Sequence, residues 1–209
     1  MKKAILILFI LLFISSGSLA ADTLRSLGGA YSYAVEHQRY LAGYAETTLH
    51  SIGFYTSAFH FPGEEDMGFF SHTAILVPKW GTFSDESTFF SYSTEDVTRT
   101  VHLALMFGPA IRQPFSYGTQ PYFGFGGNVQ ALYAEDSHGS AWTLIGGVGF
   151  TMGTTQEISP YSVMDTGITV DYHMGAYTKE SGNAQWSKAD EYRMYSIRYY
   201  MGFGFRTFR

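Results

Sequence analysis

The sequence YSIRYYMGFGFRTFR, residues 195–209, alternates large apolar side chains with polar or small ones. The apolar residues are Tyr195, Ile197, Tyr199, Met201, Phe203 and Phe205. A period of two is that of a β-strand with two unlike faces, whereas helical spacing would spread these side chains all round the axis. An aromatic strand of this kind is typical of the closing strand of a transmembrane β-barrel, because an open sheet edge in lipid would leave backbone groups unpaired.

Residues 1–20 have the pattern of a secretory signal peptide. Lys2 and Lys3 are followed by an apolar run over residues 4–14, and Ser18-Leu19-Ala20 fits a small-x-small cleavage site. The run is short for a membrane helix, which needs ~20 residues. We therefore predict an exported chain with one mature domain, residues 21–209, located in the outer membrane.

Composition narrows the class of protein further. The formal net charge is −5, and loss of Lys2 and Lys3 with the leader makes the chain more acidic, which argues against nucleic acid as a partner. No Cys is present, so disulfides and thiolate metal sites are excluded. The 23 Gly, 16 Tyr and 18 Phe suit β-structure with close strand contacts and interfacial aromatic residues.

Period-two patterns and turn residues divide the mature chain into eight predicted strands. They are residues 28–37, 49–61, 68–77, 97–111, 120–134, 142–153, 161–177 and 191–208. An even strand number puts both termini on the periplasmic side, so residues 38–48, 78–96, 135–141 and 178–190 become the outside loops. The fold predicted is an all-β, eight-stranded antiparallel transmembrane β-barrel. A secreted lipocalin-like barrel with apolar residues turned inward is the soluble alternative, and Arg198 and Arg206 in the closing strand disfavour it.

The alternation also predicts which polar side chains face the barrel interior: Glu36, His102, Asn128, Gln130, Asp171, His173, Arg198 and Arg206. An eight-stranded barrel is wide enough for side chains and little else, so interior charges must pair. If the paired positions of the last two strands sum to about 369, Asp171 lies opposite Arg198 and His173 lies opposite Ser196. A bulge would shift that register, and Arg206 or Glu36 would then replace one member of the Asp171–Arg198 pair.

Several Gly-aromatic motifs carry a family resemblance over about half of the mature chain. They are MFGP at residues 106–109, QPYFGFGG at 120–127, GGVGF at 146–150, DY at 171–172 and MGFGFR at 201–206. This set resembles the small eight-stranded outer-membrane β-barrel family of the OmpX, OmpA transmembrane domain and OmpW kind. The resemblance implies a non-enzymatic barrel with a structural or surface role, or a narrow channel for small or apolar solutes. It also implies a monomer that contacts outer-membrane lipid and the barrel assembly machinery through its C-terminal strand, with no cofactor.

A metal site and a catalytic site are the two alternatives to a non-enzymatic barrel. The seven His are scattered and show no HExxH or comparable spacing, so no metal site is predicted. His138 and Ser140 lie two residues apart beside Glu135, a spacing similar to that of a lipid A deacylase with this barrel fold. The same stretch is also what a polar turn looks like, so a lipid A-modifying enzyme remains the alternative function.

Overall fold

The computed structural model describes residues 21–40, 43–62, 65–84, 89–93, 99–113, 118–135, 139–180, 185–188 and 191–207. The strands are β1 (Ala21–Tyr40), β2 (Gly43–Pro62), β3 (Met67–Ser84), β4 (Phe89–Ser93), β5 (Arg99–Arg112), β6 (Thr119–Glu135), β7 (Ser140–Ser159), β8 (Ser162–Glu180), β9 (Ser187–Lys188) and β10 (Arg193–Thr207). Within these ranges no helix is long and apolar enough to cross a membrane. The predicted signal peptide, residues 1–20, lies outside the described residues.

Eight long antiparallel strands form a closed ring in the order β1–β2–β3–β5–β6–β7–β8–β10. The ring closes because β10 pairs with β8 along one edge and with β1 along the other, from Thr23↔Thr207 to His37↔Arg193. The short strands β4 and β9 pair with β3 and β8. The predicted eight-stranded antiparallel barrel is therefore confirmed.

The two ends of the barrel differ. Residues 21 and 207 and the connections after β2, β5 and β7 lie at one end, which we call the turn end. The connections after β1, β3, β6 and β8 lie at the other end, which we call the loop end.

Several stretches predicted as loops or turns prove to be strand. Residues 38–40 and 43–48 belong to β1 and β2, residues 78–84 continue β3, and residues 89–93 form β4. Likewise, β7 runs on through residues 154–159, where a turn was predicted. These segments show no sustained alternation of apolar and polar residues, yet continued strand pairing still satisfies their backbone groups. Side chains also meet there: the hydroxyls of Thr48 in β2 and Thr82 in β3 lie 2.7 Å apart.

Two bulges change which way side chains point. In β8, Gly146↔Gly175 is followed by Gly147↔His173, which leaves Met174 as the extra residue. Ala176 is therefore buried inside the barrel, although an unbroken period of two from Ile168 and Val170 predicts it on the outward face. In β3, Pro78 pairs with Ser51 and Trp80 with His50, so Lys79 is the extra residue there.

The closing strand has the two faces that its period predicts. The outward side chains of Met201, Phe203 and Phe205 are 63%, 68% and 71% exposed, whereas Ser196, Arg198 and Tyr200 on the other face are buried. The outer surface is thus apolar and the interior polar, which is the arrangement of a barrel in lipid and the inverse of a soluble one.

Candidate functional site in the barrel interior

The inward side chains form layers that follow one another along the barrel axis, and the inward residues of a single strand give their order. From the turn end, the inward residues of β8 are Val163, Asp165, Gly167, Thr169, Asp171 and His173, then Ala176 beyond the bulge. Those of β10 are Arg206, Gly204, Gly202, Tyr200, Arg198, Ser196 and Met194. Ionic, apolar, hydroxyl-rich, charged and again apolar side chains thus follow one another along the barrel axis.

An ionic cluster occupies the turn end. Arg206 in β10 donates to Asp22 in β1 through Nε (3.0 Å) and Nη2 (2.5 Å), and Arg112 of β5 also donates to this carboxylate. The Arg112 guanidinium lies 4.2 Å above the ring of Phe61. Arg206 thus pairs with Asp22 rather than with Asp171, and the cluster joins β1 to β10 at the ring's closure.

Above this cluster lies an aromatic layer. The Phe59 ring is fully buried and packs against Phe70 and Tyr122, with ring centroids 6.0 and 4.4 Å apart. Phe59 belongs to β2 and Tyr122 to β6, and β3 and β5 separate these strands in the ring. The Phe59–Tyr122 contact therefore spans the lumen.

The next layer is a hydroxyl cage around the buried carboxylate of Asp165. Tyr122 donates to Oδ1 at 2.6 Å, and Ser57 and Tyr55 donate to Oδ2 at 3.0 and 3.2 Å. Ser26 donates to Oδ2 as well. Because these donors come from β1, β2 and β6 while Asp165 lies on β8, the cage also ties opposite walls together. The hydrogen bonds described at Asp165 come from hydroxyl groups, with no basic side chain among the donors.

Two glycines make room for the tyrosines of this layer. Gly153 and Gly167 are opposite each other on β7 and β8. A Cβ on Gly153 would overlap the Tyr122 hydroxyl, and one on Gly167 would overlap the Tyr200 hydroxyl. These two hydroxyls hydrogen-bond to each other at 2.7 Å, so the absent side chains allow the tyrosines to meet across the lumen.

The Asp171 layer contains the predicted interior ion pair. Arg198 Nη2 donates to Asp171 Oδ2 at 3.1 Å, and both side chains are buried. Ser196 donates to the same oxygen at 3.1 Å, and Asn128 donates to Oδ1 at 2.6 Å. The pair is present, but the predicted register was wrong by two residues: Asp171 lies opposite Ser196, and Arg198 lies opposite Thr169.

Histidines and amides complete this layer. His173 Nε2 is 2.8 Å from Asn128 Oδ1, and His102 Nε2 is 2.5 Å from Gln130 Oε1. Five buried atoms here have no hydrogen-bond partner among the described residues: Ser32 Oγ, His102 Nδ1, Gln130 Nε2, His173 Nδ1 and Arg198 Nε. A sixth, His72 Nε2, lies nearer the turn end, opposite Ser57 of the Asp165 cage. A buried polar atom without a partner costs about 1–3 kcal/mol, so this layer holds the least satisfied polar groups of the interior.

An apolar cap closes the interior toward the loop end. Its buried members are Ala34, Ile145, Ala176, Tyr192 and Met194, with Leu49 and Leu132 packed against them. Glu36 lies one inward position beyond Ala34 on β1 and is half-buried, outside the ion pairs described above.

The candidate catalytic residues are described only in part. Glu135 and Ser140 face each other at the loop ends of β6 and β7, and the Tyr133 hydroxyl donates to Glu135 at 2.8 Å. His138 lies outside the described residues, so the catalytic alternative stays a prediction. Among the residues that the structure describes, no group of three or more His, Cys, Asp or Glu could hold a metal ion.

Sequence reasoning missed Asp165 and Asp22. Asp165 is six residues before Asp171 on the same strand, so the period of two that placed Asp171 inside would have placed Asp165 inside as well. Asp22 precedes the first strand as it was predicted, and no apolar alternation marks its segment.

No protein-family model and no curated protein matches the chain. Solved structures do match over nearly the whole chain. The outer membrane protein OprG from Pseudomonas aeruginosa has 14% identity, covers 92% of this chain and 99% of its own, and gives a TM-score of 0.62. Outer membrane protein AlkL has 11% identity, 93% coverage of both chains and a TM-score of 0.60. Neisserial surface protein A has 12% identity, covers 89% and 97%, and gives 0.55. The chain therefore has the fold of the small outer-membrane β-barrel proteins, as the family resemblance predicted.

Proposed function

We propose that this protein is an integral outer-membrane β-barrel with a structural or surface role and a lumen closed to solutes. The observation that carries the proposal is the Asp165 cage, in which hydroxyls from β1, β2 and β6 meet one carboxylate of β8. A side-chain layer that bonds across the lumen leaves no axial path unless several hydrogen bonds break together. The turn-end ion cluster and the loop-end apolar cap support closure on either side of the cage.

The location in the proposal rests on the fold and on the outward apolar surface. With residues 1–20 removed as a signal peptide, the turn end would face the periplasm and the loop end the cell exterior. Both edges of β10 are paired within the chain, which favours a monomer, since no strand edge needs a second copy. The exposed aromatic face of β10 suits recognition by the barrel assembly machinery.

Conductance across a planar bilayer tests the closed lumen. The wild-type barrel should give no single-channel steps, whereas Tyr122→Ala with Tyr200→Ala should give small ones, because the pair removes the rings that meet across the lumen. The matched control is Tyr199→Ala, which removes an exposed tyrosine from the outer face of the same strand. Steady wild-type conductance would contradict the closed lumen and favour a narrow channel.

Location has its own measurement. The mature protein should fractionate with outer membranes, and the unboiled protein should migrate faster in gels than the boiled one, as closed barrels do. Recovery as a soluble periplasmic protein would overturn the membrane location.

A further inference from the structure

A cluster of aromatic side chains surrounds His50 on the outer surface of the barrel. Tyr31 and Tyr33 come from β1, His50 from β2, and Trp80 with its neighbour Lys79 from β3. We call these five residues the His50 patch. The Tyr31 hydroxyl and His50 Nδ1 share a hydrogen bond of 2.6 Å, and the His50 ring stacks on Trp80 with centroids 5.0 Å apart and planes at 19°. The Tyr33 ring lies 4.9 Å from the His50 ring on a tilted plane.

The patch lies where the outward surface changes from apolar to polar. Toward the turn end, the next outward residues on β2 and β3 are Ile52 and Val77, and both are exposed. Toward the loop end, the corresponding residues are Thr48 and Thr82, which hydrogen-bond to each other. Aromatic side chains at such a boundary mark the level of lipid headgroups. For a barrel in the outer membrane, this is the outer-leaflet boundary.

The β3 bulge brings a positive charge to this level. Lys79 is the extra residue between Pro78 and Trp80, has no partner residue across β2, and is exposed. A bulge changes the direction in which side chains point. Here Pro78 is buried, and the two residues that follow it, Lys79 and Trp80, are both exposed. No described carboxylate lies within ion-pair distance of the Lys79 ammonium, and Glu46, the acid nearest along β2, instead faces His37 at 3.6 Å.

His50 and Tyr33 add hydrogen-bonding groups to the same patch. With the Tyr31 hydroxyl as donor to Nδ1, the His50 ring carries its N–H on Nε2, for which the described residues provide no acceptor. The Tyr33 hydroxyl is likewise without a described partner. One ammonium, one imidazole N–H and one hydroxyl above an apolar surface form a set of donors that suits an anionic oxygen group.

We propose that the His50 patch binds a phosphate group carried by a lipid of the outer leaflet. The acyl chains would lie along Ile52 and Val77, while the phosphate would reach Lys79, His50 and Tyr33. The proposal rests on the proposed function, because the patch meets headgroups only when the barrel spans the outer membrane.

Native mass spectrometry of the folded barrel tests the site. The probes are a lipid A carrying both phosphates and the same lipid after enzymatic removal of the phosphates, each presented in detergent micelles. Wild-type protein should retain the phosphorylated lipid about tenfold better than the dephosphorylated one, the size expected for one charge-assisted contact. Lys79→Gln should reduce this preference severalfold, and Lys79→Arg should keep it.

The matched control is Lys188→Gln, since Lys188 is an exposed lysine of β9 at the loop end, away from the patch. Equal retention of the two lipids by wild type, or equal losses in Lys79→Gln and Lys188→Gln, would overturn the site. Competition by inorganic phosphate at the same concentration as the lipid would mean that the patch recognises free anions and would also overturn it. Each variant is first checked for heat-modifiable migration and insertion into vesicles. Failure of wild type to insert would contradict the proposed function, whereas insertion without phosphate preference would contradict the site alone.

Discussion

Arg198 of β10 donates to Asp171 of β8 at 3.1 Å, although the residue directly opposite Arg198 in the sheet is Thr169. The contact is therefore diagonal, two residues out of register, which a long Arg side chain can span. Both groups are buried, and Ser196 and Asn128 also donate to the carboxylate. Asp171 thus accepts three hydrogen bonds, whereas Arg198 Nε has no partner among the described residues.

Loss of either charge should therefore cost more than loss of both. Asp171→Asn or Arg198→Gln should each reduce the free energy of unfolding by about 3–5 kcal/mol, because a buried charge is left without its counter-ion. The double variant should lose less stability than either single variant, because it leaves no unpaired buried charge. Urea unfolding in detergent micelles, followed by tryptophan fluorescence, measures all four proteins. Strictly additive losses would show that the two side chains do not interact.

The sequence predicted this pair because the face to which a side chain points depends only on its position along its own strand. The pairing register between two strands depends on the chain that connects them. A period of two sends Asp171 and Arg198 to the same face whatever their neighbours are. Register depends on where the chain turns and on bulges, and the Met174 bulge leaves no mark in the alternation of residues 168–172. The Asp165 cage could not be predicted for a related reason: it collects donors from three strands around a carboxylate of a fourth, and only barrel closure brings these strands together.

The loss of unfolding free energy caused by a charged residue on the outward face should depend on the depth of that residue in the membrane. Met201 and Phe205 face outward on the same strand and are similarly exposed, at 63% and 71%, but Phe205 lies near the strand end. Met201→Arg should cost about 2–4 kcal/mol and Phe205→Arg about 0–1 kcal/mol when unfolding is measured in lipid vesicles. Equal costs would mean that the apolar surface of β10 does not face the hydrocarbon core.

Gly167 should tolerate no side chain, because a Cβ there would overlap the Tyr200 hydroxyl. Gly167→Ala should destabilise the barrel by about 1–3 kcal/mol, the usual cost of overpacking an interior. Gly175→Ala on the same strand is the control, since nothing lies within 4 Å of its Cβ position. Adding Tyr200→Phe to Gly167→Ala should recover part of the loss by removing the overlapped oxygen. An unchanged unfolding midpoint in Gly167→Ala would contradict the packing of Tyr200 against Gly167.

The Asp165 carboxylate should matter as an acceptor shared by hydroxyls rather than as one member of an ion pair. Asp165→Asn keeps one oxygen acceptor, whereas Asp165→Leu has a similar volume and removes both. The leucine variant should therefore be the less stable of the two by about 1–3 kcal/mol, the cost of a buried hydroxyl without an acceptor. In that variant Ser26 and Ser57 still bond each other, and Tyr122 still bonds Tyr200. Tyr55 loses the carboxylate oxygen and keeps only a long contact of 3.4 Å to the main-chain oxygen of residue 165. Tyr55→Phe should consequently recover more stability in the Asp165→Leu background than Tyr122→Phe does. Equal stability of the asparagine and leucine variants in urea unfolding would show that the cage does not depend on an acceptor at residue 165.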